Sequence, residues 1–393
     1  MVSQMTFNPL PAVVIGGPPH SGKSVLAYSL TQALRVRGVE HYVLRAYPPD
    51  YEGDWFLACD QEQVRHLRLK GAQSEAWLPL VQRDIARRHL PLIVDLGGLP
   101  TVEQEALLDA CTHAISLTPD DATRDEWDAR FARHGLVLLA DIHSVLEGET
   151  WLESQEPLLQ GTLAGLERGQ SAHGPTFEAL VERLSLLFTQ SARGLRHQHL
   201  EMAPVELAVD VEHLARSLGC DARAWQPEDL PAVLDYLPEG QPLALYGRGP
   251  NWLYTAVAIH AWPAPFHLFD VRLGWVESPA LAFGALPPDA PLQAHVTESL
   301  YGRVVTFQLV DAYLDLAGAQ DLRAPFADWE GGVVLNGKLP HWLWCALARA
   351  YRGAWHTCET PWLALFQPQV QGAVVVASRV ADPAMGMCIP FAP

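Results

Sequence analysis

The sequence predicts an α/β fold throughout: a parallel sheet with helices on both faces, followed by two small tandem α/β units. Three observations carry this. Residues 1 to about 190 alternate short apolar runs with helical patterns, the signature of βαβ units. A glycine-rich turn, "GGPPHSGKS", separates the first apolar run from the first helical one. Further on, "GRGPNWLY" from Gly247 returns at Gly337 as "GKLPHWLW", and each copy sits between an apolar strand and a helix.

In the first domain (1–194) the predicted strands are "AVVIGG" (12–17), "HYVLRA" (41–46), "PLIVDLGG" (91–98), "HAISLT" (113–118) and "GLVLLADIH" (135–143). The helices between them, "SVLAYSLTQALRVRG", "SEAWLPLVQRDIARRH" and "TVEQEALLDAC", repeat apolar residues every three or four positions. A Pro-Thr helix entry opens "SAHGPTFEALVERLSLLFTQSARG" (171–194), which closes the domain. The second domain (195–290) reads as strand "PLALYG", turn, helix "NWLYTAVAIHAW" and strand "PFHLFDVRLGWVES". Proline-rich "ALPPDAPLQ" (285–293) reads as a linker to the third (291–393), whose matching pieces are "GVVLNG", "HWLWCALARAY" and "PWLALFQPQVQGAVVVAS".

Gly17, Gly22, Lys23 and Ser24 satisfy G-x-x-x-x-G-K-[ST]. Between a strand and a helix, that spacing lets backbone N–H groups cradle the phosphates of ATP at the helix N-terminus, with Ser21 inside the loop. Lys23 then reaches the β and γ phosphates, and Ser24 ligates Mg²⁺. Asp95, ending "LIVD", is the matching carboxylate for the metal. Asp50, Glu52 and Asp54 in "RAYPPDYEGDW" fall where a phosphoryl acceptor sits in small P-loop kinases, with Asp50 a candidate general base. Arg124, Arg130 and Arg168 are candidate charge-stabilising arginines. The domain resembles a P-loop kinase or an NTPase of the broad AAA kind, without a feature that names a substrate.

A formal charge of −18 argues against a long nucleic acid as partner, because such binding relies on counterion release from a basic surface. A small anion in a local basic pocket stays compatible. Lysine occurs only at 23, 70 and 338, and two of these three lie in the motifs above. Six cysteines without a C-x-x-C pair suggest neither a zinc site nor a disulfide framework. The amino terminus has no secretory pattern and no apolar run spans a membrane, so no membrane partner and a cytoplasmic location are expected.

The repeated turns, with Gly247, Gly249 and Pro250 in one copy and Gly337 in the other, lead straight into a helix whose first backbone N–H groups face an anion. Arg248 and Lys338 add side chains suited to phosphate. Trp252 and Trp342 are open to two readings, stacking surface or core. The run G-R-G-P-x-W-L, helix, P-F, then D-x-R-L-G, from Gly247 to Gly274, resembles the CRISPR-associated Csx3 family; the Gly337 copy resembles it more loosely.

That resemblance implies a pseudo-dimer inside the chain, association into homo-oligomers, cyclic oligoadenylate (above all cyclic tetra-adenylate) as ligand, and Mn²⁺-assisted ring cleavage. Asp270 and Arg272 hold the family's aspartate and arginine positions, with Asp270 a candidate metal ligand. The family's catalytic histidine position holds Trp262, leaving His260 and His267 as nearby substitutes. In the second copy Gln367 and Gln369 replace the aspartate and arginine, with His356 and Glu359 in "GAWHTCET". Three functions stay open: a ring nuclease with an ATP-dependent partner domain, a cyclic oligoadenylate sensor that gates the P-loop domain, and a scaffolded kinase.

Overall fold

The computed structural model describes residues 10–46, 77–167, 169–222, 224–300, 302–310, 314–319, 321–325, 331–356 and 360–391. The fold is mixed α/β with mostly parallel sheets. The chain divides into two compact units, Met1–Arg196 with Val271–Leu273, and His197–Asp270 with Gly274–Pro393.

In the first unit the strands are β1 (Ala12–Gly16), β2 (Tyr42–Arg45), β3 (Leu92–Asp95), β4 (His113–Thr118), β5 (Val137–Val145), β6 (Trp151–Ser154) and β7 (Leu159–Ala164). The helices are α1 (Lys23–Val36), α2 (Trp77–Ala86), α3 (Asp121–Arg133) and α4 (Pro175–Ala192). The sheet order is β2-β3-β1-β4-β5-β7-β6, parallel except for the β6–β7 pair. Leu26, Leu30 and Leu34 of α1 and Leu180, Leu184 and Phe188 of α4, three or four residues apart, share one core with Val13, Ile15, Ile115 and Leu117. Each such burial is worth about 1.5–3 kcal/mol.

Gly16 points to the other face, where any β-carbon would meet the Phe131 ring at 2.4 Å and the Trp127 ring at 2.7 Å. A glycine here lets α3 seat its aromatic rings directly on the end of β1. Two sequence expectations change. "TVEQEALLDAC" forms a 3₁₀ segment, Gln104–Ala110, rather than an α-helix. The β6–β7 pair was not anticipated.

The second unit opens with α5 (Leu195–Glu201), begun in the first, then β8 (Ala208–Asp210), α6 (Val211–Leu218), α7 (Leu230–Tyr236), β9 (Leu243–Tyr246), α8 (Asn251–His260), β10 (Phe266–Asp270) and β11 (Gly274–Glu277). After β12 (Ala282–Phe283) come β13 (Leu292–Ser299), β14 (Gly302–Leu309), β15 (Arg323–Ala324), β16 (Gly332–Gly337), α9 (His341–Gly353), β17 (Trp362–Gln367), β18 (Gly372–Ser378) and β19 (Cys388–Pro390). Each long strand expected after the repeat's helix is a hairpin instead. The chain reverses before Gly274 (φ 77°) in one and at Gln371 (φ 49°) in the other. Leu292 and Gln293, expected in the linker, open β13.

The two sheets share a motif. β8-β9-β10-β11 is paired parallel, parallel, antiparallel, and β14-β16-β17-β18 follows the same sequence of senses. The registers place Asp270 opposite Gly274 and Gln367 opposite Gly372, so Asp270 and Gln367 occupy equivalent hairpin positions.

α8 and α9 pack side by side in the same direction. Near their starts the Tyr254 and His341 rings lie 4.6 Å apart; near their ends the Arg352 guanidinium sits 5.0 Å from the Trp262 ring centre. Between these, Arg349 donates to the Ala258 and Ala264 carbonyls at 2.8 Å each. Trp252, Trp342 and Phe266 are fully buried and Trp362 nearly so. They form core and offer no face to a ligand.

Candidate nucleotide and anion sites

The loop between β1 and α1 wraps around Lys23. Although only 4% exposed, its ammonium donates to the carbonyls of Gly17 (2.8 Å) and Pro18 (2.6 Å) and lies 3.5 Å from Ser21 Oγ. Burial lowers its pKa from 10.5 to about 8, with nearby Asp95 partly offsetting the shift. A β-carbon on Gly17 would stand 2.0 Å from the Leu117 carbonyl oxygen, and one on Gly22 (φ 87°) 2.4 Å from Leu166 Cβ, so the close approach of loop to sheet requires both glycines. Ser144 Oγ donates to the Ser21 carbonyl at 2.9 Å and pins the loop from β5.

α1 begins at Gly22 without a side-chain cap, which leaves its first N–H groups facing the loop's concavity. His20 holds φ 67°, a left-handed conformation that costs a residue with a β-carbon about 1–2 kcal/mol. Replacing exposed His20 with glycine is expected to raise stability by up to about 1 kcal/mol, read as a higher denaturant midpoint, because relief of that strain outweighs glycine's added chain entropy.

Beside the loop, the adjacency of β1 and β3 brings Ser24 and Asp95 together: Ser24 Oγ donates to Asp95 Oδ2 at 2.7 Å, and the Gly97 N–H donates to Asp95 Oδ1 at 3.0 Å. A hydroxyl and a carboxylate are hard oxygen donors of the kind Mg²⁺ takes. Arg45, at the end of β2, completes the group in a way the sequence did not disclose. Its Nη2 donates to Ser24 Oγ at 3.4 Å, and its Nε lies 3.7 Å from Asp95 Oδ2. The signal was a cation directly after an apolar strand.

The expected arginines are engaged elsewhere. Arg130 pairs with Glu105 (2.8 Å) and Glu126 (3.1 Å) and covers the Trp127 ring; Arg124 pairs with Asp121 at 2.9 Å. Arg168, Asp50, Glu52, Asp54 and Lys70 lie outside the described residues.

In the second unit both repeated turns have glycine at positive φ, 111° at Gly247 and 137° at Gly337. A β-carbon on Gly337 would stand 2.2 Å from the Phe307 carbonyl oxygen. Pro250 and Pro340 are the N-caps, and neither helix start has a side-chain cap. The Tyr254 hydroxyl donates to the Gly247 carbonyl at 2.5 Å and fixes the first turn. Because α8 and α9 run in the same direction and meet near their starts, the two uncapped ends open at the same end of the unit. Gly249 follows exposed Arg248, and half-buried Lys338 follows Gly337.

Asp270 ends β10 at that end, and Arg272 lies in the following hairpin turn. Asp210, not singled out from the sequence, ends β8, on the other side of β9, and accepts from the N–H groups of Glu212 (2.9 Å) and His213 (3.0 Å). In the other hairpin the Gln367 amide donates to Gln369.

The histidine candidates do not join Asp270. His260 closes α8 at the opposite end, its Nε2 2.9 Å from the Leu237 carbonyl. His267 precedes Asp270 by three residues on β10, so strand alternation turns the two side chains to opposite faces. Its Nε2 faces Glu277 at 3.9 Å, and burial lowers its pKa. Trp262 stacks with Arg352, while Glu359 lies outside the described residues. Among the described residues no group of three or more His, Cys, Asp or Glu side chains is placed to hold a metal ion.

Residues 308–390 match the family model of the CRISPR-associated protein (Cas_csx3). The Csx3 match starts in β14, ends in β19, and takes in the Gly337 turn, α9 and the β17–β18 hairpin. It falls on the Gly337 turn, the looser of the two resemblances in the sequence. The matched segment has a turn glycine at positive φ, a proline N-cap and a buried tryptophan one residue into its helix, and its hairpin carries Gln367 and Gln369. No helix among the described residues is long and apolar enough to cross a membrane.

Proposed function

We propose that this protein serves type III CRISPR signalling, binding a cyclic oligoadenylate, foremost cyclic tetra-adenylate, and opening it, with a P-loop kinase-like domain that binds ATP and Mg²⁺. The observation that carries the reading is the pair of uncapped Gly-basic-Pro turns opening at one end of the α8–α9 pair, in a chain whose residues 308–390 match Csx3. We take the β8–β11 and β14–β18 frames to be two copies of one module, 195–290 and 291–393, that form a pseudo-dimer. A ring phosphate at each turn meets helix N–H groups and Arg248 or Lys338.

Chemistry belongs to the first copy, where Asp270 and Arg272 stand; Gln367 and Gln369 supply neither charge. A divalent cation such as Mn²⁺, when bound, neutralises the scissile phosphate. Asp270 would be this chain's ligand for it. Arg272 clamps the phosphate while the adjacent ribose 2′-hydroxyl attacks it and the P–O5′ bond breaks. This leaves a 2′,3′-cyclic phosphate and a 5′-hydroxyl, the proton lost by the 2′-oxygen being balanced by the one the 5′-oxygen gains. His260 and Asp270 stand at opposite ends of the unit, so both act on one ring only across two copies packed head to tail, which makes the active form a homo-oligomer.

In the P-loop domain, Lys23 takes the β and γ phosphates, and Ser24 with Asp95 takes Mg²⁺. The direct adjacency of β1, which leads into the Lys23 loop, and β3, which ends at Asp95, favours the kinase branch of the expectation over the AAA branch. A 5′-hydroxyl left by ring opening is the natural phosphoryl acceptor.

A second reading, a sensor that binds the ring intact and alters ATP turnover, draws support from the separation of the histidines from Asp270. One assay separates the two. Labelled cyclic tetra-adenylate is incubated with protein, Mn²⁺ and ATP, and the products are resolved by chromatography. Linear products, phosphorylated only when ATP is present, are expected. Intact bound ring with altered ATP turnover selects the sensor, and absence of any ring binding rejects both.

A further inference from the structure

The arginines expected at the phosphates are engaged elsewhere or lie outside the described residues, and a different guanidinium stands at the Ser24–Asp95 pair. Arg45 comes from β2, the strand beside β3, and is 14% exposed in its side chain. It touches the same two oxygens that bind a hard cation, Ser24 Oγ at 3.4 Å and Asp95 Oδ2 at 3.7 Å. Both contacts are longer than a close charge-assisted hydrogen bond, which forms at about 2.7–2.9 Å. The guanidinium lies at the end of the sheet where β2 and β3 finish, beside Ser24.

We propose that Arg45 is the phosphate-clamping arginine of the ATP site: it rests against Ser24 and Asp95, yields those oxygens to the nucleotide's divalent cation, and moves its charge onto the β and γ phosphates. This rests on the P-loop reading above. The physical logic is substitution of like for like. A divalent cation at Asp95 Oδ2 would repel the Arg45 guanidinium, which lies 3.7 Å from that oxygen. Phosphate oxygens offer the displaced fork the bidentate acceptor geometry that arginine prefers. Lys23, held by Gly17 and Pro18, supplies a fixed charge, and Arg45 supplies one that arrives with the metal.

The test measures binding with turnover excluded. A fluorescent non-hydrolysable ATP analogue is titrated into wild-type protein and into Arg45→Gln and Arg45→Lys variants, at fixed Mg²⁺. Mg²⁺ is then titrated at fixed analogue, and circular dichroism verifies the fold. In Arg45→Gln, two shifts of opposite sign are expected: analogue affinity at saturating Mg²⁺ falls about tenfold or more as a charged phosphate contact is lost, and the Mg²⁺ needed for half-saturation drops as its competitor is removed. Arg45→Lys keeps the charge without the fork and is expected to fall between the two on both measures.

A purely structural Arg45 would weaken both or move neither, and either result overturns the proposal, as does an analogue affinity that does not change. If Arg45→Gln fails to fold, the Arg45→Lys pair of shifts decides alone. If the wild-type protein binds no analogue, the P-loop reading itself falls and takes this assignment with it, an outcome distinct from normal wild-type binding with unaltered variants.

Discussion

Lys23→Ala is expected to abolish measurable ATP binding while leaving the fold intact. Its ammonium spends its hydrogen bonds on the loop's own carbonyls, at 2.8 Å to Gly17 and 2.6 Å to Pro18, and its burial costs enough to lower the pKa to about 8. A side chain held charged at such a cost is better explained by a ligand than by stability. Charge-assisted hydrogen bonds are worth about 1.5–3 kcal/mol each, so losing two at the phosphates reduces affinity at least about 100-fold. Lys23→Met, which keeps the volume and removes the buried charge, is expected to melt no lower than wild type. Calorimetric titration with ATP and Mg²⁺ reads the first effect and thermal unfolding the second. Wild-type ATP affinity in either variant would refute the P-loop assignment.

The same pKa sets a pH dependence. Below about 8 the lysine is charged and attracts phosphate; as pH rises from 7 to 9 it loses its proton, and affinity for the triphosphate falls. Stability responds in the opposite sense. The folded pKa lies below the unfolded value of 10.5, so the unfolded chain binds more protons between about 8 and 10.5, and the penalty for the buried charge fades as pH rises through that window.

The legible parts of this molecule were those fixed by short-range spacing. Gly17 to Ser24 is one strand-turn-helix segment recognisable from its spacing alone, although the contacts that require it, Leu117 at Gly17, Leu166 at Gly22 and Asp95 at Ser24, come from distant parts of the chain. The repeat was visible because Gly247 and Gly337 each need positive φ before a proline-capped helix. Arg45 was missed because its partner Asp95 lies 50 positions away and only the β2–β3 register joins them. The β6–β7 hairpin was hidden by its polar strands, "WLES" and "LQGTLA", whose extended form depends on pairing across a sheet edge. His260 and His267 looked close to Asp270 because they are near it in sequence. Strand alternation and the return path of α8 separate them, a consequence of the backbone that neighbourhood in the chain conceals.

For ring opening the decisive variant is Asp270→Ala. Asp270 ends β10 beside the turn that carries Arg248, and its counterpart in the other hairpin, Gln367, is neutral. If Asp270 is the carboxylate that holds the cation at the scissile phosphate, its loss is expected to slow cleavage of cyclic tetra-adenylate by about 100-fold or more. Binding of the ring changes little, because the helix N-termini, Arg248 and Lys338 remain. Measuring single-turnover cleavage beside ring affinity separates chemistry from recognition. Equal losses in both would make Asp270 a binding residue, and no loss in either would move the chemistry elsewhere. Mixing Asp270→Ala with His260→Ala protein extends the argument. These residues lie at opposite ends of one unit, so a head-to-tail pair restores one complete site from two defective copies, and recovered activity in the mixture is expected only if catalysis is shared between copies.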